Sequence, residues 1–202
     1  MKIGGLNAVD TGKIEPILLT IPEQFESKRL LIRAPLWGDG AAVNEAVQES
    51  IEQLRPWMPW ASSVPTQEAS EISIRRSRLQ FLERSDLRLL LIRKETGKLV
   101  GSSGLHRIDW PTRKFEIGYW VRSSCAGQGY ITEAVEAITK YAIRELQANR
   151  IEIRCDSRNH PSARVALASG FSLEGVHRGD KLDVDDCLRS TMIYSKVRGV
   201  EF

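Results

Sequence analysis

The residues best suited to chemistry lie between Phe115 and Ala134, FEIGYWVRSSCAGQGYITEA. A strand-like run passes through a short turn carrying Gly127 and Gly129 into the start of a helix. A helix N-terminus leaves its first N–H groups without partners and carries about half a positive charge. Two glycines there remove side chains, so a pyrophosphate could approach the backbone closely. Thr132 adds a hydroxyl in the first turn. Two other phosphate loops do not fit. A Walker A loop needs Lys-Ser/Thr directly after its last glycine, where Tyr130 and Ile131 stand; a Rossmann fingerprint needs a third glycine where Thr132 stands. From these residues alone, a plain tight turn between strand and helix remains the alternative.

The elements that would position this stretch follow from periodicity. Residues 1–26 carry no clear period and read as an extension, either an edge segment or loose; the domain proper spans 27–199. Arg29–Arg33 is a short strand. Asp39 is a helix N-cap, followed by Val43, Val47, Ile51 and Leu54 at helical spacing up to Pro56. The loop after it holds Trp57 and Trp60 between prolines, which either plug the core or line an apolar groove. Thr66 to about Glu83 is a second helix, with Ile72, Leu79 and Leu82 on one face and a solvated arginine run on the other. Leu87–Arg93 and Lys98–Gly104 form a hairpin, and Lys114–Val121 is the next strand. Ile131, Ala134, Val135, Ile138, Ala142 and Leu146 make an apolar helical stripe. Arg150–Cys155 is the following strand, and strand–helix–strand implies a right-handed parallel crossover. Asn159–Ser162 opens a short helix, with His160 at its N-cap position and Gly170 past its end. Phe171–Arg178 and Cys187–Lys196 close the chain as an antiparallel pair.

Bulk properties narrow the class. The chain has 202 residues, 42% of them hydrophobic, and a net charge of +3. That suits one folded domain with a weak preference for acidic partners, without the basic footprint of direct nucleic-acid binding. No apolar run approaches the about 18 residues of a membrane span, and the N-terminus does not read as a signal peptide. Three cysteines without close spacing suggest neither a disulfide framework nor a metal knuckle, so no metal is expected and the cytoplasm is the default location.

Taken together, several motifs resemble the GNAT superfamily of acetyl-CoA-dependent N-acetyltransferases, most closely its RimJ/RimL branch of ribosomal-protein N-terminal acetyltransferases. They are Arg29–Arg33, the Trp57–Trp60 loop, Glu116–Val121, Gly127–Tyr130 with Thr132–Ala134, Asn159 with Ser162, Gly170–Phe171 and Glu174–Gly175, in the family's order over about residues 27 to 198. The resemblance implies an α+β GNAT fold. This is a mixed, mostly antiparallel sheet flanked by about four helices, in which the parallel strands Lys114–Val121 and Arg150–Cys155 splay apart. Acetyl-CoA would lie in that gap. Backbone groups of Tyr119 and Val121 would hold its pantetheine arm, N–H groups from Gly127, Gln128 and Gly129 to Ile131 and Thr132 its pyrophosphate, and Asn159 would contact the arm from the far side. Two positions depart from the family: Ala126 stands where Gln or Arg is frequent, and Ile131 where a small residue is frequent. Arg122 or Gln128 is expected to supply the side-chain contact missing at 126, and Ile131 to face the core.

Acetyl transfer to an amine needs a base, a donor for the developing oxyanion and a proton for the leaving thiolate. The Val121 N–H would serve the oxyanion. Ser162, in the first turn of its helix, is the candidate proton donor, with capping as its bland alternative. Glu116 shares a strand face with Gly118 and Trp120 and is the leading base candidate, desolvated beside the indole; a solvated outward glutamate is the alternative. His106 and His177 are weaker candidates. A covalent route through Cys125 or Cys155 is disfavoured because no histidine adjoins either. The expected reaction is direct acetyl transfer, most readily to a protein N-terminus of ribosomal type or on another acidic protein. A polyamine or amino-sugar acceptor and a non-catalytic acyl-CoA sensor are the alternatives. The acceptor groove would use Trp57 and Trp60, and the oligomeric state is left open, with a homodimer one option.

Overall fold

The computed structural model describes residues 15–202. Eight strands form one sheet: β1 (Gln24–Glu26), β2 (Leu30–Arg33), β3 (Leu87–Arg93), β4 (Leu99–Asp109), β5 (Lys114–Val121), β6 (Arg150–Asp156), β7 (Ser172–Leu182) and β8 (Leu188–Val197), in the order β1-β2-β3-β4-β5-β6-β8-β7. Every neighbouring pair is antiparallel except β5–β6. Four α-helices accompany them: α1 (Gly40–Leu54), α2 (Gln67–Glu83), α3 (Tyr130–Glu145) and α4 (His160–Ala168). The expected α+β fold with its parallel pair is therefore present. Residues 1–14 of the expected extension lie outside the described residues, while β1 shows that the sheet begins upstream of residue 27.

The strands alternate, so each sends one set of side chains to each face. Leu105, Phe115, Ile117, Ile151 and Ile153 pack beneath α3, whose predicted stripe from Ile131 to Leu146 is buried against them. Trp120, Leu90 and Leu99 pack on the other face against Val43, Val47, Ile51 and Leu54 of α1.

α2 departs from expectation. Ile72, Leu79 and Leu82 are exposed, while Ser70, Ile74, Ser77 and Phe81 face inward. The small serines let neighbours approach and are paired: the Asn44 amide donates to Ser70 (3.1 Å), and the Arg88 guanidinium donates to Ser77 (3.3 Å). A buried face that is polar but hydrogen-bonded is invisible to a search for apolar period.

Two helix starts also differ. Asp39 sits before α1 but does not cap it, because its carboxylate accepts from Arg33 and from the Leu36 N–H. The Gly38 and Gly40 N–H groups instead donate to Glu71 of α2, both at 2.9 Å. At α4 the cap is Asn159, not His160, which is the first helical residue.

Candidate active site

The parallel pairing of β5 and β6 covers Lys114↔Arg150, Phe115↔Ile151 and Glu116↔Glu152, and then stops. Both strands run on: β5 stays paired with β4 to Val121, and β6 with β8 to Asp156. A gap therefore opens between residues 117–121 and 153–156. The Arg122 N–H donates to Val100 of β4 at 2.7 Å. By the two-residue alternation of an antiparallel ladder, Trp120 and Gly118 also face β4, and Tyr119 and Val121 turn their backbone groups into the gap. An extended ligand can fit there as an added strand.

The end of β5 leads through a turn of 3₁₀ helix (Ser123–Cys125) to α3. Gly127 and Gly129 have φ of +71° and +77°, a left-handed conformation that glycine adopts without steric cost. The first intrahelical bond of α3 runs from the Glu133 N–H to the Gly129 carbonyl, so the N–H groups of Tyr130, Ile131 and Thr132 have no helical partner. Ile131 itself is buried beneath α3, as expected. Nothing among the described residues would meet a Cβ at Gly127, so the turn is open where a phosphate would approach.

Of the two side chains expected to replace the contact missing at Ala126, Arg122 is turned away from this turn. Arg122 is buried, and its guanidinium is committed to Glu49 (2.6 Å) and to Glu45 of α1. It ties β5 to α1 and is unavailable to a phosphate. The Gln128 amide donates to the Ser124 carbonyl at 2.9 Å. A cation beside the turn is Arg29, the residue just before β2, whose place there the sequence did not reveal. It donates to the Gln128 carbonyl (3.0 Å), lies over the Tyr130 ring (4.2 Å) and pairs with Glu133 (2.7 Å). Burial alone would raise the Glu133 pKa, but bonds from the Arg29 N–H, the Ser27 hydroxyl and the Arg29 guanidinium lower it, so the carboxylate is drawn toward β2. Arg29 belongs to a recognised motif, but its reach across 99 residues of sequence had no local signal.

α4 closes the other side of the gap. The Asn159 Oδ1 accepts from the Ser162 N–H at 3.1 Å, so Asn159 caps the helix and the Ser162 hydroxyl is free of that task. The Tyr119 phenol bonds both the Ser162 carbonyl and its hydroxyl, each at 3.0 Å. Either oxygen can donate in the hydroxyl–phenol bond; with the phenol donating to the serine hydroxyl, the serine keeps its own proton free to donate. Burial pushes the Tyr119 phenol well above its ordinary pKa, and burial likewise raises the Cys155 thiol. Cys155 is therefore a poor thiolate, which speaks against a covalent route through it.

Glu116, His106 and Trp120 lie on the opposite face, where α1 and α2 pack. Glu116 was expected to be desolvated beside Trp120. Instead Arg107 and Arg154 flank its carboxylate, the latter at 3.6 Å. Arg154 also pairs with Glu152 (2.9 Å), and Arg150 links Glu152 to Glu174, so a chain of ion pairs runs from β4 to β7. Trp60 is half exposed and its ring lies 6.2 Å from that of Trp120; Trp57 is half-buried. Neither is the core plug, and the Trp60 ring is tilted against that of the buried Trp120. His177 is exposed, 4.0 Å from Asp180. Among the described residues, no cluster of His, Cys, Asp or Glu could hold a metal, and no helix is long and apolar enough to cross a membrane.

A mixed sheet with a splayed parallel pair, a glycine turn at a helix start and a serine facing the gap defines an acyl-CoA-dependent acyltransferase of GNAT type. Comparison with known proteins agrees. Residues 29–172 match the model of the acetyltransferase (GNAT) domain, and the chain belongs to that family, in its RimJ/RimL-like branch. It is 30% identical over 161 residues to YdaF of Bacillus subtilis (strain 168), provisionally a ribosomal N-acetyltransferase, covering 79% of this chain and 86% of that one. It is 27% identical over 144 residues to the ribosomal-protein-serine acetyltransferase of Escherichia coli (strain K12), covering 71% and 79%. The fold superposes with a TM-score of 0.79 on RimL, a ribosomal L7/L12 α-N-protein acetyltransferase solved with coenzyme A, at 22% identity and covering 88% and 97% of the two chains. The protein is an acetyl-CoA-dependent N-acetyltransferase.

Proposed function

We propose that the acceptor is the free α-amine of a protein N-terminus of ribosomal-protein type. The carrying observation is the shape of the acceptor face. β7 is an edge strand, exposed along most of its length, and the half-exposed Trp60 lies at the α1–α2 side. An open, extended face with free strand groups suits a peptide, whereas a polyamine or amino sugar calls for a closed, acidic pocket. The names of the two relatives point the same way.

The residues divide the work as follows. Tyr119 and Val121 offer backbone groups to the acyl arm, and the Val121 N–H meets the developing oxyanion. The N–H groups of Gly127 to Thr132 take the pyrophosphate, with Arg29 as the adjacent cation. The Asn159 amide reaches the arm from α4. Ser162, backed by Tyr119, supplies the proton to the leaving sulfur. The experiment is a panel of acceptors with acetyl-CoA: serine- and alanine-terminated peptides of ribosomal proteins, the same peptides N-blocked, polyamines and aminoglycosides. Acetylation of the free peptides alone is expected. Turnover of polyamines or aminoglycosides without the peptides contradicts the peptide acceptor, and binding of acetyl-CoA without any turnover would favour a sensor.

A further inference from the structure

We propose that His106, held by Asp86, is the base that takes the proton from the acceptor amine. The inference rests on N-acetyl transfer as the reaction and deepens it.

The His106 Nδ1 lies 2.7 Å from an Asp86 carboxylate oxygen. A carboxylate only accepts, so Nδ1 carries the hydrogen and the neutral ring keeps its lone pair on Nε2. Nε2 has no hydrogen-bond partner among the described residues. The ring lies over two glycines that face each other across β4 and β5, Gly104 and Gly118. A Cβ at Gly118 would stand 3.0 Å from His106 Cδ2 and 3.3 Å from Nε2, and one at Gly104 would stand 3.0 Å from Cε1. Any side chain at 118 would displace the imidazole. The glycine pair is thus a seat for the ring, and it places the free nitrogen over β5 one residue before Tyr119, on the face that α3 and α4 leave open.

The rival, Glu116, pairs with His106 in register but is engaged by Arg107 and Arg154. Its carboxylate oxygens are thus already occupied by guanidinium groups. The charged groups around His106 are Asp86 before β3, Arg88 on β3, Arg107 on β4, Glu116 on β5, and Glu152 and Arg154 on β6. The proton balance closes with this base. The acceptor ammonium gives one proton to Nε2, which passes it to solvent from the partly exposed ring. The amine nitrogen then bonds the acetyl carbon as the carbon–sulfur bond breaks, and its second proton ends on the CoA sulfur through Ser162. The net products are the acetamide, CoA thiol and one proton.

The test compares wild type with His106→Gln and Asp86→Asn, using the serine-terminated peptide. Expected for His106→Gln is a roughly 100-fold fall in kcat at neutral pH, an unchanged acetyl-CoA Kd, loss of the acid limb of the pH–rate profile, and partial rescue by added imidazole. Asp86→Asn should lower kcat less and shift the limb. A parallel measurement is CoA release from acetyl-CoA without amine, in which water is the acceptor and the same base is needed; it should fall in step. If wild type leaves the peptide untouched, the peptide reading fails while the hydrolysis arm still tests His106. A His106→Gln enzyme with kcat within twofold of wild type and its acid limb intact overturns the proposal, as does loss of that limb in Glu116→Gln alone.

Discussion

On the α3–α4 face of the β5–β6 gap, the proposed contacts to the cofactor are mostly backbone: strand groups of Tyr119 and Val121 and the N–H groups at the start of α3. On the α1–α2 face, the groups proposed to meet the acceptor are side chains, and each is held by a partner from another element. Asp86 holds His106, Arg107 and Arg154 hold Glu116, and Trp60 leans on Trp120. The difference suits the two substrates. One cofactor is common to the family and can be met by main-chain geometry, which needs only glycines and a helix start. Acceptors differ between relatives, and side chains can change without disturbing the fold.

If that division holds, damage on one face should leave binding on the other intact. The largest effect is expected from Gly127→Glu. An added Cβ there meets nothing among the described residues, so the fold should survive with a cost of about 1 kcal/mol for a positive φ. A carboxylate facing the pyrophosphate should weaken CoA binding ~100-fold or more, roughly 3 kcal/mol, by titration calorimetry; an unchanged Kd would mean that the turn does not hold the cofactor. Ser162→Ala should lower kcat by roughly 100-fold with little change in acetyl-CoA affinity, read by thiol release. An unaltered rate would leave Ser162 with its bond to Tyr119 and no part in proton transfer.

Glu49→Gln probes the strut between the faces. Hydrogen bonds from the Ser124 side chain and backbone, then from Arg122, depress the Glu49 pKa from 4.5 to about 2. A depressed pKa adds stability above the unfolded value, which is lost as pH falls from about 4.5 through about 2. Glu49→Gln should therefore be less stable than wild type at pH 7, by ~1 kcal/mol, with the gap closing toward pH 2 in denaturant titrations. A gap independent of pH would contradict the strut. The smallest effect is expected from Trp60→Ala: a severalfold rise in acceptor KM, with acetyl-CoA affinity unmoved.

The two faces also differ in how far the sequence revealed them. The glycine turn, the stripe of α3 and the parallel partner of β5 are local patterns with fixed spacing, and all were legible. So was Ile131 as a core residue. The acceptor face was not. Asp86 is 20 residues from His106, and nothing near either announces the pair. Arg122 read as a phosphate ligand from its place beside the turn, but β-strand alternation sends it to the α1 side, where Glu45 and Glu49 hold it. Glu116 read as desolvated because Trp120 shares its face, while its arginines come from β4 and β6. Side-chain partnerships across strands depend on register, which composition and period do not encode.

Amide hydrogen exchange with and without CoA tests the division most directly. The account predicts slowed exchange at Tyr119, Val121 and the amides from Gly127 to Thr132, with the strand amides around His106 and the tip of the β7–β8 hairpin unaffected. Protection confined to other elements, with no change at the start of α3, would contradict it.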